Sequence, residues 1–160
     1  MVPKPRVGIL IACRMKSARL PRKALLPIVG KPLIDHLIER VKTAKNVDEV
    51  ILCTSTHADD AILEEAARRN KIHFFRGFEE DVLGRFIAAA EKHNLDMVVR
   101  VTGDNPLTDP DYIDRLIESH LKTGADFSKV EQLPLGMNCE VISLNTLKKA
   151  HELAADPNLS

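Results

Sequence analysis

Apolar residues along the chain fall into two patterns that alternate from end to end. Short continuous runs of apolar and β-branched residues are typical of strands that are covered on both faces. These runs are "VGILIAC" (7–13), "EVILCTS" (49–55), "IHFF" (72–75), "DMVVRV" (96–101) and "CEVIS" (139–143). Between them, apolar residues recur at helical spacing, which predicts helices over about 33–41, 59–70, 82–90 and 113–121.

The alternation of strands and helices predicts a three-layer α/β/α domain with a mostly parallel sheet. Right-handed crossovers join parallel strands, so helices should cover both faces of the sheet. The chain shows no internal repeat and no linker, which favours one domain over residues 1–160. Ligands bind beyond the carboxyl ends of the strands in such sheets. We therefore expect functional residues in the loops after Cys13, Cys53, Phe75 and Val101.

The first of these loops, "RMKSARLPRK" (14–23), carries five cationic side chains and no acidic one. The whole chain has 23 basic and 23 acidic residues, so it lacks the basic excess of a general nucleic-acid-binding protein. Arginine and lysine bind phosphate oxygens through charge-assisted hydrogen bonds. We expect Arg14, Ser17, Arg19 and Lys23 to bind a nucleoside triphosphate. The alternative is a solvated surface loop.

Two common phosphate-binding motifs are absent from the chain. The first loop contains no G-x-G-x-x-G, which excludes a dinucleotide fingerprint there. The segment "VGKPLI" contains Gly-Lys, but a P-loop would need glycine at position 25 and serine or threonine at position 32. The chain has Leu25 and Pro32 at those positions. The phosphate site should therefore depend on the cationic side chains.

Polar residues also mark the ends of the second and fourth predicted strands. Asp104 in "TGDNPLTDP" (102–110) can hold Mg²⁺ beside substrate phosphates. The alternative is a turn, in which Pro106 pushes Asn105 toward an extended conformation. Thr54 and Ser55 end the second strand, where their hydroxyls contact either a nucleoside or the local backbone.

The segment "FFRGFEEDVLGRF" (74–86) follows the third predicted strand. It brings Arg76 and Arg85 to the same end of the sheet. Asp81 in this segment fits the N-terminus of the next helix, where the helix dipole favours an acidic residue.

Cysteine usage and hydropathy indicate the compartment. Cys13, Cys53 and Cys139 lie beside apolar residues and form no CxxC pair, so we expect buried free thiols in a reducing environment. No apolar run approaches the roughly 18 residues of a membrane span. The first residues also lack the pattern of a signal peptide. We therefore expect a cytoplasmic protein.

In order and spacing, these segments resemble the cytidylyltransferase family, the CMP-sugar synthetases, and most closely its spore-coat polysaccharide biosynthesis branch. The resemblance runs from about residue 7 to the C-terminus. It implies a Rossmann-like fold of the nucleotide-diphospho-sugar transferase type, in which the arginine- and lysine-rich loop wraps the nucleotide. The matching segments are "RMKSARLPRKALLPIVGKPLI", "CTSTHADDAI", "FFRGFEEDVLGR", "VVRVTGDNPLTDP" and "LGMNCEVIS".

The resemblance assigns roles to individual residues. It implies that Arg14, Lys23 and Asp104 are catalytic, and that Asp104 is also the Mg²⁺ ligand. It places Arg85, Asn138 and Glu140 toward the sugar substrate. The residues that it places around the nucleotide are Ala12, Arg14, Ser17, Arg19, Lys23, Thr54, Ser55, Arg76 and Asp104.

The implied reaction moves a cytidylyl group from CTP to a sugar acid or related sugar, with release of pyrophosphate, in surface-polysaccharide biosynthesis. Mg²⁺ is the implied cofactor and a homodimer the implied assembly, while neither a nucleic acid nor a membrane is expected as a partner. Two alternatives stay open. The chain is a nucleotidyltransferase that uses another nucleoside triphosphate or a sugar 1-phosphate, or it is a non-catalytic nucleotide-binding homologue.

The chain departs from the family pattern in three respects. Relatives often have glycine where this chain has Lys16 and Arg22, so its backbone should approach the phosphates less closely, with added charge in compensation. They commonly have aspartate at the position of Asn138. The neutral amide of this chain should therefore weaken a second metal contact there. The chain ends at Ser160, where relatives continue, so we expect a single domain that lacks the C-terminal part of those relatives.

Overall fold

The computed structural model describes residues 4–16 and 20–155. Its strands and helices are, in chain order, β1 (Val7–Ala12), β2 (Pro27–Ile28), β3 (Lys31–Pro32), α1 (Leu33–Val41), β4 (Glu49–Ser55), α2 (Leu63–Arg69), β5 (His73–Gly77), α3 (Val82–Lys92), β6 (Met97–Thr102), α4 (Pro110–Thr123), β7 (Phe127–Lys129), β8 (Glu140–Ser143) and α5 (Leu144–Ala154).

Six strands form one mixed sheet in the order β5-β4-β1-β6-β8-β7. The four strands β5, β4, β1 and β6 are parallel to one another, whereas β8 runs antiparallel to both β6 and β7. Strands β2 and β3 form a separate antiparallel hairpin. The prediction of a mostly parallel sheet is confirmed.

Side chains alternate between the two faces of the sheet, and helices cover both faces. On β1, Ile9 and Ile11 pack in a cluster with apolar residues of α1, α2 and α4. Leu10, between them, packs in a second cluster with residues of α3 and α5. All three side chains are fully buried. This arrangement confirms the three-layer α/β/α fold.

Local signals in the sequence set the two ends of α4. The side chain of Asp109 accepts hydrogen bonds from the backbone N–H groups of Asp111 and Tyr112, at 2.9 and 3.3 Å. Pro110 occupies the first turn, where its missing N–H costs no helical hydrogen bond. Gly124 ends the helix with a φ of 63°, a conformation that glycine adopts without a steric penalty.

The structure differs from the apolar pattern in several places, among them the β2–β3 hairpin, which was not predicted. The predicted helix over 59–70 begins as a 3-10 segment, Ala58–Ile62, in which Asp60 turns inward and accepts from the Met15 N–H in the loop after β1. The short, half-exposed strand β7 leaves no clear pattern in the sequence. Helix α5 was also not predicted, and it begins where the Ser143 hydroxyl accepts a hydrogen bond from the Thr146 N–H at 3.1 Å.

The three cysteines are buried and free, as predicted. Burial raises the pKa of Cys13 to about 12 and that of Cys139 to about 11, so both stay protonated at neutral pH. Burial also raises the pKa of the Cys53 thiol. None of the helices in the described ranges has the length and apolar character that crossing a membrane requires.

Candidate functional site

The order of strands reverses beside β1, which lies at the centre of the sheet. From β1 the chain moves outward through β4 to β5, and it then returns to place β6 on the other side of β1. A reversal of this kind opens a crevice beyond the carboxyl ends of the two central strands. A pocket of about 440 Å³ lies at this end of the sheet, lined by Met15, Lys16, Pro21, Arg22 and Asp59. This pocket lies between the cationic loop and the segment after β4, and a contact between Lys23 and Asp104 brings the loop after β6 to the same end of the sheet.

Lys23 and Asp104 form an ion pair across this crevice. The Lys23 ammonium donates to Asp104 Oδ2 at 2.6 Å, although the two residues are 81 positions apart in the chain. Their side chains are 33% and 42% exposed, so both are accessible to a ligand. The hydrogen bond from Lys23 lowers the pKa of the Asp104 carboxyl below its ordinary value. The crevice therefore carries an ionised carboxylate and an ammonium group in direct contact.

Gly103 allows the loop after β6 to approach the end of β1. Its N–H donates to the carbonyl oxygen of Ala12 at 2.7 Å. A Cβ atom at position 103 would lie 2.7 Å from Cys13 Cβ, a separation that ordinary packing does not allow. The close approach fixes Asp104 beside the loop that carries Lys23.

Asp104 fits a divalent cation that is shared with phosphates. Mg²⁺ is commonly bound by one or two carboxylates together with substrate phosphates and water. Asp104 supplies one ionised, partly exposed carboxylate at the crevice. Within residues 4–16 and 20–155, no group of three histidine, cysteine or acidic ligands gathers at this end of the sheet. The donor set suits a cation that arrives with a nucleotide better than one held in a protein cage.

Asp60 organises the opposite wall of the crevice from a buried position. It accepts hydrogen bonds from the Met15 N–H at 2.7 Å, from the Ser55 N–H at 3.3 Å and from the Ser55 hydroxyl. Burial opposes ionisation of Asp60, but the hydrogen bonds from Met15 and Ser55 prevail and lower its pKa. Sequence analysis missed this role, because Asp59 and Asp60 look alike in the sequence and only the inward turn separates them.

Thr54 and Ser55, which we expected near a nucleoside, are fully buried at the end of β4. The Ser55 hydroxyl donates to Asp60 and accepts from the His57 N–H at 3.1 Å. It therefore takes part in the local hydrogen-bond network, which was one of the two alternatives for these hydroxyls. A nucleoside contact by either residue stays a prediction.

Arg76 and Arg85 hold the backbone of the same wall. Arg76 donates to the carbonyl oxygens of Ser55 and His57, at 3.0 and 2.8 Å. Arg85 is only 2% exposed, and its guanidinium group donates to the carbonyl oxygens of Phe78 and Glu79. Both arginines therefore shape the crevice through hydrogen bonds to the main chain. Direct contact with a substrate stays a prediction for each.

Arg14 is exposed in the loop after β1. Burial and the nearby positive charge of Arg14 together lower the pKa of Arg85. Arg14 thus adds a solvent-accessible charge to the wall that Arg85 supports. Ser17 and Arg19, the other predicted phosphate ligands of this loop, lie outside the described residues.

Asp81 and His151 close the far side of this wall. Asp81 Oδ1 accepts from the Gly84 N–H at 2.8 Å and caps α3, as its position in the sequence indicates. His151 Nε2 lies 2.8 Å from Asp81 Oδ2. The hydrogen bond from Gly84, followed by that from His151, lowers the pKa of Asp81.

Asn138 and Glu140 reach the same end of the sheet because β8 runs antiparallel to β6. Asn138 is exposed in the segment before β8. Glu140 is the first residue of that strand and forms an ion pair with Arg100 at 2.8 Å. The neighbourhood that we expected to face a sugar therefore offers a neutral amide and a carboxylate that is already paired.

Comparison with known proteins agrees with this arrangement. The chain is 37% identical over 142 residues to the spore coat polysaccharide biosynthesis protein SpsF of Bacillus subtilis. The aligned region is 86% of this chain and 59% of that protein. It is 30% identical over 155 residues to a 3-deoxy-manno-octulosonate cytidylyltransferase of Geobacter metallireducens. This aligned region is 92% of this chain and 59% of that protein. The chain thus spans about three fifths of the length of these relatives.

The structural comparison gives the same assignment. A cytidylyltransferase from Leptospira borgpetersenii serovar Hardjo-bovis superimposes with a TM-score of 0.90 at 32% identity, over 97% of this chain and 67% of that chain. The sequence model of the family described as cytidylyltransferase matches residues 8–159. The resemblance inferred from the loops is confirmed, and the chain belongs to the cytidylyltransferase family.

Proposed function

We propose that this chain binds CTP in the crevice between β1 and β6 and forms part of an enzyme that transfers the cytidylyl group to a sugar acid or related sugar. Pyrophosphate is the second product, and the nucleotide sugar serves surface-polysaccharide biosynthesis. The observation that carries this proposal is the Lys23–Asp104 pair at the point where the strand order reverses. The names of the family and of its two relatives supply the cytidylyl group and the class of acceptor.

In this reaction the oxygen of a sugar hydroxyl forms a bond to the α-phosphorus of CTP. The bond from that phosphorus to the bridging oxygen breaks, pyrophosphate leaves with the electron pair, and the hydroxyl proton passes to solvent. Negative charge builds on the leaving group, so positioned cations contribute most to catalysis. Lys23 and the exposed Arg14 supply such charges at the crevice. Ser17 and Arg19 complete the proposed phosphate contacts.

Asp104 is the residue that would hold Mg²⁺. When bound, the ion would neutralise phosphate charge, as it does in phosphoryl transfer generally. The contact between Lys23 and Asp104 uses one N–H of the ammonium and one oxygen of the carboxylate, so each group has further capacity to engage the nucleotide and its cation. Ala12 is the last residue of β1, at the base of the crevice. Thr54, Ser55 and Arg76 belong to the wall at the ends of β4 and β5. Arg85, Asn138 and Glu140 are the residues proposed on the acceptor side.

A panel of triphosphates tests the proposal directly. The melting temperature is measured with CTP, UTP, GTP, dTTP and ATP, each with and without Mg²⁺. A ligand at 100 times its dissociation constant adds about 2.7 kcal/mol to the free energy of unfolding. In a protein of this size that raises the melting temperature by roughly 5–11 °C. A shift that is selective for CTP and depends on Mg²⁺ supports the proposal, and the absence of any shift contradicts it.

Pyrophosphate release then tests the transfer step. The first acceptor to add is 3-deoxy-manno-octulosonate, because one relative is named for it. Release that depends on the acceptor supports transfer by this chain.

Sedimentation of the same sample tests the proposed homodimer. A cytoplasmic location stays a prediction.

One observation favours a second candidate, a nucleotide-binding homologue without transfer activity. Asn138 is neutral where a carboxylate is expected, and Glu140 is paired with Arg100. Such a protein would keep the CTP-dependent shift in melting temperature but release no pyrophosphate with any acceptor. An Asn138→Asp variant that gains release would indicate that this position limits transfer.

A further inference from the structure

The opposite end of the sheet carries a second cluster of ligating side chains, which the proposed function does not use. Glu49 is the first residue of β4, His73 is the first residue of β5, and His93 follows the last turn of α3. Each of these residues offers one ligating atom, and the three atoms all lie within 4.8 Å of one another. Across the described ranges, no other such group of three occurs.

The distances in this cluster are those of a site that needs little adjustment to hold a metal. His93 Nδ1 lies 2.6 Å from Glu49 Oε2, and His73 Nε2 lies 3.7 Å from the same oxygen. Ligand atoms on a tetrahedral zinc ion with bonds of 2.0–2.1 Å lie about 3.3 Å apart. Small rotations of the side chains would therefore bring the three atoms to one ion, with the fourth position left to water.

The composition of the cluster exceeds what an ion pair requires. One protonated histidine would neutralise Glu49, yet two imidazole rings converge on it with centroids 4.6 Å apart. Arg6 already donates to the other carboxylate oxygen, Glu49 Oε1, at 2.6 Å. That contact leaves Oε2 directed toward the two rings, as outer hydrogen bonds orient carboxylates at metal sites.

From this geometry we propose that Glu49, His73 and His93 form a site for a divalent transition metal, with Zn²⁺ as the best match to two imidazoles and one carboxylate. The side chains of Glu49 and His93 are 19% and 12% exposed, whereas that of His73 is 57% exposed. A metal can therefore enter from the side of His73. Once bound, it ties the edge strand β5 to β4 and to the end of α3, and this stabilises the part of the sheet distant from the CTP crevice.

Zinc binding to the tag-free chain tests the proposal. The protein is stripped with a chelator, and ZnCl₂ is titrated by calorimetry in excess Mg²⁺. The Asp104→Asn background is used so that the proposed crevice metal does not contribute. We expect one equivalent of Zn²⁺ and a rise in melting temperature of roughly 5–11 °C at 100 times the dissociation constant. Absence of zinc binding overturns the proposal.

Two histidine variants identify the ligands. His73→Ala removes an exposed side chain and should preserve the fold, yet it should weaken zinc binding by more than the roughly 10–100-fold that loss of an outer hydrogen bond costs. His151→Ala is the matched control, because His151 also contacts a carboxylate, Asp81, at 2.8 Å, but among the described residues no third ligating side chain joins that pair. We expect the control to bind zinc like the parent. Equal zinc affinity in His73→Ala and His151→Ala would overturn the assignment.

Discussion

The two walls of the crevice each contain an aspartate, and the two aspartates are held in opposite ways. Asp60, on the wall at the end of β4, is 2% exposed, and its carboxylate is engaged by the main chain and by Ser55. Asp104, on the wall at the end of β6, is partly exposed and contacts the mobile end of a lysine side chain. The carboxylate of Asp60 stabilises the fold, whereas that of Asp104 is accessible and can replace its contact with Lys23 by a contact with a ligand.

The difference separates the framework of the site from its chemistry. Arg76 and Arg85 donate to backbone carbonyl oxygens, and Asp60 accepts from backbone N–H groups and from the Ser55 hydroxyl. Because these contacts lie within the protein, they hold the first wall in place without a ligand. Lys23 and Asp104 neutralise each other, and an exposed pair of this kind contributes only about 0–1 kcal/mol to stability. We therefore expect the proposed triphosphate and its divalent cation to replace that pair at little cost to the fold.

The largest effect is expected from Asp104→Asn. The variant should lower pyrophosphate release by roughly 10²–10³-fold or more, since it removes the proposed metal ligand at the reacting phosphates. Its free energy of unfolding should change by less than about 1 kcal/mol, because only an exposed ion pair is lost. Turnover and urea denaturation measure the two quantities. Unchanged turnover would place the metal elsewhere.

Glu39→Gln is the matched control for that variant. Glu39 forms an ion pair with Lys31 that is exposed to a similar degree but lies on the β2–β3 hairpin and α1. The two variants should therefore have similar stability, and only Asp104→Asn should lose the Mg²⁺-dependent part of CTP binding. An equal loss in both variants would show that Asp104 affects CTP binding only through the net charge of the protein and not as a metal ligand.

Asp60→Ala should act on the fold first. It leaves the buried Met15 N–H without an acceptor and removes the hydrogen bonds of Ser55, so we expect a loss of roughly 2–3 kcal/mol in the free energy of unfolding. Asp59→Ala is the neighbouring control, because the exposed Asp59 contacts only His57, at 3.6 Å, among the ion pairs of the described chain. That control should stay within about 0.5 kcal/mol of the parent. Equal stabilities of the two variants would contradict the assigned role.

The same network predicts a dependence on acid. The pKa of Asp60 is lowered in the folded state, so its stabilising contribution is present above the unfolded value of about 3.9 and is lost as the pH falls through the folded pKa. Asp60→Asn cannot ionise. The stability difference between parent and Asp60→Asn should therefore shrink as the pH falls below about 4. Urea titrations of both proteins across this range test the prediction, and a constant difference would contradict it.

Lys23→Ala should weaken triphosphate binding by roughly 10–100-fold, the range of one charge-assisted hydrogen bond of about 1.5–3 kcal/mol. Stability should change little, because the lysine is exposed and paired only with Asp104 among the described contacts. Lys31→Ala, which breaks the pair with Glu39, is the matched control. Calorimetry with CTP and Mg²⁺ measures both variants. Equal affinity for CTP in the two would remove Lys23 from the site.

The accessible charged residues of the site could be predicted from the sequence, whereas the buried residues that support them could not. Lys23 and Asp104 each follow an apolar strand, and strand order in an α/β sheet brings such loops together. Asp60 leaves no comparable signal, because its function depends on an inward turn within a 3-10 segment. For the same reason the hydrogen bonds of Arg85 to the main chain were not foreseen, and the residue appeared only as a candidate substrate ligand.

The fold shows a similar division. The parallel strands and the helices between them follow from their own apolar patterns, which burial on both faces imposes. The direction of β8 does not, because a strand of four residues has the same pattern in either orientation. Its antiparallel pairing with β6 follows from the path of the chain through α4 and β7. That path also brings Asn138 to the end of the sheet where β6 ends.

The smallest effect tests the backbone of the cationic loop. Arg22 has a φ of 56°, a left-handed conformation that costs most residues about 1 kcal/mol relative to glycine. Arg22→Gly and Arg22→Ala remove the same charge from the crevice, so both should weaken CTP binding equally. The Arg22→Gly variant should be the more stable of the two by up to about 1 kcal/mol, measured by urea denaturation, since alanine keeps the strain. An Arg22→Ala variant as stable as Arg22→Gly would mean that this turn is not held left-handed in solution, and that Arg22 serves the crevice through its charge alone.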